Sequence, residues 1–494
     1  MSAEENRFES GRPLSKAPEG ILQTTNKISL LNFAHVPRRT RQALAKICRR
    51  TGLVSQGLHL LQPLIRNEKE MTESASSSEI SEYAVLLSRN GSIQEALTLL
   101  KGVDPDDAPE ALLYQGFCHI SNWDYSIAID LLKKYLASSV DDYAKLIAEV
   151  NLASSYLAIG NIDAAESLLQ ELMESTQRGK ASRLVGNGLE MLSQVHLQRN
   201  EFSKARQVLD RSATNFQQND SYDQLLYHKW MAIVSAIENR SPEPLAHFRN
   251  LAVSREHWES VREADLFALK IQFHQKQFDS LYYGTPKSGN RRRILQQVEG
   301  QPNDIFVRGE AGSFWLDLTT GVLHGKGELK PGKKVHQVLA ALNRDFYVPS
   351  NIGTLFAELY PDDYFDINSS PLRIRQLLTR TRQWLEEMHI PASIQHIQGN
   401  YRFAIDGAFG IQIPKECEVI ETPILEWQLL KQLFSSARFF TAEQACEILK
   451  ISRSSFHRLA RWADKRGELT SQGRGKSLRY SFAITSPRTA IRSA

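Results

Sequence analysis

One stretch of this sequence places arginines and hydrogen-bonding side chains along one side of a predicted helix at residues 371–388. Helical spacing predicts a buried side made of Ile374, Leu377, Leu378, Thr381 and Leu385. The opposite side consists of Arg373, Arg375, Gln376, Thr379, Arg380 and Arg382. Arginine forks match guanine edges and phosphates, and glutamine amides match adenine, so this side has the chemistry to contact the major groove of DNA.

A hairpin is predicted directly after this helix. Residues 394–403 alternate between apolar and polar side chains, with Gly399-Asn400 expected at the turn. A hairpin beside a DNA-contacting helix would form a wing, and Asn400 and Arg402 are its candidate DNA contacts.

A second helical pair near the C-terminus repeats this chemistry. Buried stripes are predicted at 442–449 and 456–463, and the break between them has the length of a helix-turn-helix turn, with Ser452 placed to cap the second helix. The outward side chains are Arg453, Ser454, Ser455, His457, Arg458 and Arg461. A basic wing at 473–482 adds Arg474 and Lys476. The competing interpretation is a three-helix packing unit with a solvated basic side.

The positive charge of the chain is concentrated at its C-terminal end. From Ile424 to Ala494 there are 13 Lys/Arg and 5 Asp/Glu, a net charge of +8. Because the whole chain carries +4, the preceding residues carry −4. Such a basic end is typical of a nucleic-acid contact, although charge alone equally suits a solubilising surface.

The catalytic and metal-binding motifs that we considered are incomplete. Residues 327–334 come close to a phosphate-binding P-loop, but Lys334 stands where Ser or Thr must hold magnesium, and Pro331 interrupts the loop. The four cysteines form no C-x-x-C pair. We therefore predict a protein that is not an enzyme, with no cofactor and no metal. The alternative, an NTP-dependent enzyme, predicts nucleotide turnover that Lys333→Ala abolishes.

The N-terminal half repeats one helical pattern. In four segments an alanine follows a large apolar residue by three positions, and apolar residues follow the alanine by three and four positions. The alanines are Ala96, Ala128, Ala165 and Ala205, spaced by 32, 37 and 40 residues. The pattern resembles tetratricopeptide repeats over approximately 76–215, with less regular helices continuing to 277. The resemblance implies a protein or peptide ligand on a concave face, and no residue identifies that ligand.

Two local features flank this region. Ser76 and Glu79 are spaced as a capping box for the next helix. Before them, the basic stretch from Pro37 to Arg50 predicts a short amphipathic helix. We favour a helix that caps the array over an arm that contacts DNA, because charge runs usually face water.

The segment 304–406 resembles the OmpR-type winged-helix effector domain of bacterial response regulators. The matching elements are Leu329–Pro331, Leu359–Asp366, Leu378–Leu385 and Gly399–Phe403. The resemblance implies DNA binding, and it implies RNA polymerase as a further partner through the loop Tyr360–Asn368. Thr381 replaces a larger apolar residue of that family, and no receiver domain is evident, so control by phosphorylation is not implied. Residues 423–485 resemble the helix-turn-helix of many bacterial repressors and recombination proteins.

These observations predict a mainly α protein, in which a helical-repeat solenoid is followed by two small winged helix-turn-helix domains. The predicted divisions are a flexible N-terminus (1–30), a repeat domain (31–282), a linker (283–303), a first winged helix (304–406), a linker (407–422), a second winged helix (423–485) and a tail (486–494). No apolar run approaches the roughly 20 residues of a membrane span, and the N-terminus lacks a secretory layout, so we expect a cytoplasmic protein without membrane contact.

The predicted function is sequence-specific binding of double-stranded DNA by a bacterial transcription regulator, with the repeats as a sensing or protein-interaction region. The alternative is a non-catalytic scaffold whose helix-turn-helix modules bind proteins, or bind DNA without sequence choice. The sequence does not give the oligomeric state, the operator or the direction of regulation.

Overall fold

The structure, a computed structural model, describes residues 33, 36–66, 74–138, 141–176, 182–214, 221–310, 314–324, 327–328, 333–415, 427, 430–431, 434, 439–449, 451–473 and 478–482. The predicted N-terminus 1–30 and tail 486–494 lie outside this range, as do Arg474 and Lys476. The described chain is mainly helical and carries a few small sheets. No helix in the described part is long and apolar enough to cross a bilayer.

A succession of helices fills residues 38–297, and neighbours in sequence pack against each other. They are α1 (Arg38–Arg50), α2 (Val54–Arg66), α3 (Ser77–Arg89), α4 (Ile93–Lys101), α5 (Glu110–Ser121), α6 (Tyr125–Leu136), α7 (Asp142–Ala158), α8 (Ile162–Thr176), α9 (Ser182–Gln198), α10 (Phe202–Ala213), α11 (Ser221–Asn239), α12 (Glu243–Ser254), α13 (Trp258–Ile271), α14 (Gln275–Tyr283) and α15 (Ser288–Gln297).

Local sequence signals set several of these helix boundaries. The predicted capping box of α3 is confirmed, because the Ser76 hydroxyl accepts from the Glu79 amide and the Glu79 carboxylate accepts from the Ser76 amide. The turn between α3 and α4 places Gly91 at φ 97°, a left-handed conformation that glycine adopts at little cost. The four alanines of the repeated pattern are fully buried, which lets the helices approach closely.

The stretch 283–303, predicted as a linker, instead contains helix α15. Its Asn290 and Ile294 are buried, and the Lys287 ammonium donates to the Asn122 amide oxygen over 2.9 Å. Glycine and proline near this point suggested a break in helical periodicity. Packing against earlier helices stabilises a helix that the local sequence does not predict.

Short strands and three helices follow. The elements are β1 (Ile305–Gly309), β2 (Trp315–Asp317), β3 (Val322–His324), β4 (Gly327–Glu328), α16 (Lys334–Leu342), α17 (Ile352–Leu359), α18 (Ser370–Glu387), β5 (Ala392–Ile397), β6 (Asn400–Ile405) and β7 (Gly410–Pro414). Strand β7 falls in the stretch 407–422 that was predicted as a linker. The sheet order is β1-β7-β2-β3-β4, while β5 and β6 form a separate two-stranded sheet.

The described C-terminal residues form a small module, residues 427–482, with its own core. Helices α19 (Ala442–Leu449) and α20 (Arg453–Lys465) precede a hairpin of β8 (Leu469–Gln472) and β9 (Arg479–Phe482). Trp427, Leu430, Phe440, Phe456 and Tyr480 lie in one buried cluster. Phe440 also pairs with Tyr480 through two backbone hydrogen bonds of 2.8 and 2.9 Å, which attaches the hairpin to the start of α19.

The chain divides into two compact units that do not follow the predicted boundaries. The first comprises Met1–Phe306, Ala341–Arg382 and Ser393–Ala404, and the second comprises Val307–Ala340, Gln383–Ala392 and Ile405–Ala494. Most of α18 and the β5–β6 hairpin therefore belong to the same unit as α1 to α15. The small module at 427–482 lies in the second unit.

Candidate nucleic-acid interface

Helix α20 presents a row of cationic side chains that its own packing holds outward. Ser452 caps the helix as predicted, because its hydroxyl accepts from the Ser455 amide over 3.2 Å. Phe456, Leu459 and the small residues Ala460 and Ala463 are buried on the opposite side. We call the exposed set the Arg453 face, and it comprises Arg453, Ser454, His457, Arg458 and Arg461.

The members of the Arg453 face differ in their engagement. Arg458 donates to the half-buried Ser455 over 3.1 Å, so these two side chains stabilise each other. Arg453 and Arg461 have no hydrogen bond or ion pair with any residue that the structure describes. Both guanidinium groups are therefore available for an external anion.

The hairpin beside α20 contributes a residue that the sequence analysis did not select. Arg479 is exposed in β9, where its backbone pairs with Gln472. Its position in a strongly basic stretch was the available signal. The predicted wing contacts Arg474 and Lys476 belong to the intervening residues outside the described range.

Helix α18 carries a second polar surface, and its packing agrees with the predicted division of sides. Ile374, Leu377, Leu378, Thr381 and Leu385 are buried. The exposed set, which we call the Arg375 face, comprises Arg375, Gln376, Thr379, Arg380 and Gln383. Gln383 was missed by the sequence analysis, although its spacing of seven from Gln376 was visible there. Arg375 and Arg380 make no side-chain hydrogen bond or ion pair within the described part of the chain.

Three predicted DNA contacts of this region are engaged with the protein itself. Arg373 pairs with Asp363 over 2.8 Å and stacks on the Tyr360 ring at 3.8 Å. Arg382 donates to the Ile394 carbonyl over 3.0 Å, joining α18 to strand β5. Arg402 donates to the Phe346 carbonyl over 3.1 Å, and burial lowers the pKa of its guanidinium. These arginines stabilise the fold, so we leave them out of the two faces.

The β5–β6 hairpin turns one residue earlier than predicted. Gln398 and Gly399 occupy the turn with φ values of 45° and 86°, and Asn400 begins β6, where it is half-buried. Two successive left-handed residues give a two-residue turn whose twist matches that of the flanking strands. Ser350 pairs with Tyr401 through two backbone bonds of 2.8 Å, which fixes the hairpin beside α17.

The loop implied to contact RNA polymerase, Tyr360–Asn368, is held by α2 and α4. The Gln62 amide nitrogen donates to Asp366 over 2.6 Å, and the Gln62 oxygen accepts from the Ile367 amide over 2.9 Å. Glu95 accepts from the Phe365 amide over 2.9 Å. Phe365 and Ile367 are buried, whereas residues 361–364 remain exposed.

Two carboxyl groups in this contact have opposite pKa shifts. Burial would raise the pKa of Asp366, but hydrogen bonds from Ser369, Asn368 and Gln62 outweigh it and lower the pKa. Burial raises the pKa of Glu95, although the Phe365 amide opposes the shift. Asp366 is thus held as a carboxylate that accepts hydrogen bonds from the start of α18.

The N-terminal basic helix α1 packs as a cap on the following helices. Arg38 pairs with Glu79 over 2.9 Å, and the buried Arg49 pairs with Glu82 over 2.6 Å. These ion pairs engage two arginines of α1 with helix α3. Residues 327–328, at the start of the P-loop-like stretch, lie in β4, while 329–332 are outside the described residues. No cluster of metal-ligating side chains occurs among the described residues.

No family model and no curated protein matches this chain.

Proposed function

We propose that this chain is a sequence-specific, double-stranded DNA-binding transcription regulator of the bacterial type. The observation that carries the proposal is the Arg453 face, where cationic and hydrogen-bonding side chains project from the second helix of a capped helical pair. The supporting resemblances are the helix-turn-helix pattern at 423–485 and the OmpR-type pattern at 304–406.

The electrostatics of α20 favour an anion at its N-terminus. Arg453 is the first residue of the helix, and no acidic residue occupies the first turn. A cation there opposes the helix dipole, whereas a bound phosphate would satisfy both the dipole and the arginine. Arg461, two turns later, would extend the contact along a backbone or into a groove.

The Arg375 face is proposed as a second DNA reader. Its glutamine and arginine side chains have the donors and acceptors to recognise adenine and guanine edges. The DNA contacts proposed in this region are Arg375, Gln376, Thr379 and Arg380, to which we add Gln383. RNA polymerase is a proposed partner through the exposed part of the loop, which includes Asp362 and Tyr364.

Residues 38–297 are proposed to be a tetratricopeptide-like sensing or interaction region. The supporting features are the regular succession of helices, the buried small residues at the repeated position and the coverage of the resemblance over 76–215. The region would bias DNA binding through its own ligand, and the expected location is the cytoplasm.

The deciding experiment selects fragmented genomic DNA with the purified full-length protein at near-physiological salt and sequences the retained fragments. Enrichment of a few regions with a shared motif is the result we expect. Retention without sequence preference, or no retention, would contradict the proposal and favour the scaffold alternative. Binding to a selected fragment should also weaken with salt, at a log-log slope of about −0.9 per phosphate neutralised.

A further inference from the structure

The helical region contains a half-open cavity of about 660 Å³, lined by residues between Trp123 and Gln297. The α5–α6 turn and α15 both contribute to its lining and contact each other. Lys287, just before α15, donates to Asn122 in that turn. Gly289 lies directly against the Trp123 backbone, where a Cβ atom would come within 2.3 Å of the Trp123 carbonyl oxygen. Glycine at this position therefore permits close contact between two elements of the lining.

The size of the cavity suits a small molecule. Small-molecule sites in proteins usually measure about 300–1,000 Å³ and combine an apolar wall with a few polar groups. An extended peptide or a partner helix needs a longer open groove. A cavity of this volume favours a compact ligand over the protein or peptide ligand that the repeat resemblance implies.

Aromatic side chains form the apolar wall. Trp230 and Phe267 meet edge to face, with ring centroids 6.2 Å apart, and both are at least nine-tenths buried. The Trp230 indole nitrogen is buried without a hydrogen-bond acceptor in the described structure, although buried donors normally have one. This wall could hold the apolar or aromatic body of a ligand, and the Trp230 indole N–H could donate to a ligand acceptor.

The cavity also has positively charged side chains in or beside its lining, and these favour a negatively charged ligand. Glu263 accepts from Arg293 over 2.9 Å and from Lys229 over 3.2 Å, so two cations share one carboxylate. Burial would raise the pKa of Glu263, but these cations outweigh it and lower the pKa to about 2. Lys270 stacks on the Phe267 ring at 4.7 Å and has no hydrogen-bond acceptor or ion pair among the described residues. The Lys270 side chain is exposed, but partial desolvation of its ammonium by the surrounding residues lowers its pKa, the positive charge of Arg293 lowers it further, and Glu263 opposes the shift.

The other acidic residues of the lining have partners within the lining itself. Glu259 pairs with Arg262, which also pairs with Asp345 over 2.5 Å. Glu190 accepts from Gln194 over 2.9 Å. An anionic ligand beside Lys270 would add to the attraction of Glu263 and further offset the repulsion from Arg293.

We propose that this cavity binds a small organic anion, whose carboxylate or phosphate lies between Lys270 and Arg293 and whose apolar body packs on Trp230 and Phe267. The inference deepens the proposed sensing role of the helical region, and it rests on that role only for its regulatory meaning. Ligand binding itself can be measured without DNA.

The test uses full-length protein and matched pairs of probes. Phenylacetate, indole-3-acetate, 1-naphthaleneacetate and phenyl phosphate are each compared with the neutral amide or alcohol by isothermal titration. We expect at least one anion to bind with a Kd below about 1 mM and at least about tenfold more tightly than its neutral partner. Lys270→Met should weaken that anion about tenfold and leave the neutral partner unchanged. Lys276→Met, an exposed lysine outside the lining, is the matched control.

Equal binding of anions and neutral partners, or an anion affinity that Lys270→Met does not change, would overturn the inference. Absence of binding by every probe would overturn it as well. Gly289→Val provides a test that does not alter charge, because its side chain cannot fit against the Trp123 backbone and should displace this lining residue, which weakens binding of the anion while helical circular dichroism is retained. Failure of DNA selection with anion binding intact would contradict the proposed function alone.

Discussion

Removing Arg453 and Arg461 together should abolish tight DNA binding and leave the fold intact. Both side chains are exposed, and neither makes a hydrogen bond or ion pair with another described residue. The Arg453→Ala, Arg461→Ala variant therefore loses no internal polar contact. Removing a cation from the first turn of α20 also removes an unfavourable interaction with the helix dipole. We expect the melting temperature of the variant to match that of the wild type.

The loss of binding depends on what each arginine contacts. An arginine that donates to a base edge contributes about 1–3 kcal/mol, so two such contacts contribute about 2–6 kcal/mol. The lower value corresponds to about a thirtyfold increase in Kd. If both arginines contact phosphates, the log-log salt slope becomes less steep by about 1.8. These two cases are separable because base contacts also alter the preferred sequence.

The assay is fluorescence anisotropy on a genomic fragment retained in the selection, measured from about 50 to 200 mM salt. The matched control removes two exposed cations elsewhere, Arg255→Ala with Lys276→Ala, and should change neither the affinity by more than about twofold nor the slope. Equal affinity and equal slope for the wild type and the Arg453, Arg461 variant would refute the assignment of this face to DNA.

Three further predictions follow from the same structure. Arg375→Ala with Arg380→Ala should weaken DNA binding by about 1 kcal/mol or more if α18 contacts the DNA, and anisotropy unchanged from wild type would remove α18 from the interface. Gln62→Ala leaves the buried Ile367 amide without its acceptor and should cost about 1–3 kcal/mol, measured by thermal unfolding and by faster hydrogen exchange in the loop; unaltered exchange would contradict the contact. Glu263 has a pKa lowered from 4.5 to about 2, so its contribution to stability is present above pH 4.5 and declines as pH falls toward 2; a Glu263→Gln variant with the same acid dependence as wild type would contradict this.

The predicted arginines differ in whether their removal would also disturb the fold. The sequence-based sets of DNA contacts include Arg382 and Arg458 beside Arg380 and Arg453. Arg382 holds strand β5, and Arg458 donates to Ser455, so their removal would also alter local packing. The pairs used here consist of arginines without such contacts and separate DNA binding from folding.

The sequence by itself determined the sides that α18 and α20 bury and the caps at which α3 and α20 begin. Side chains three and four positions apart meet on a helix, so the buried stripes of α18 and α20 could be read from spacing alone. The Ser76 capping box and the Ser452 cap were equally local, because a capping hydrogen bond spans only about three residues. Residue spacing predicts an interaction correctly when both partners lie within about one helical turn of each other.

The tertiary structure decided which arginines are available and where a ligand could bind. Arg373, Arg382 and Arg402 share the chemistry of their neighbours, but the Asp363 carboxylate and two backbone carbonyl groups engage them with the protein. Trp123 lines the cavity and contacts Gly289, from which it is separated by most of the helical region. Such contacts join residues that are far apart in the sequence, and the spacing of residues within one helix does not predict them.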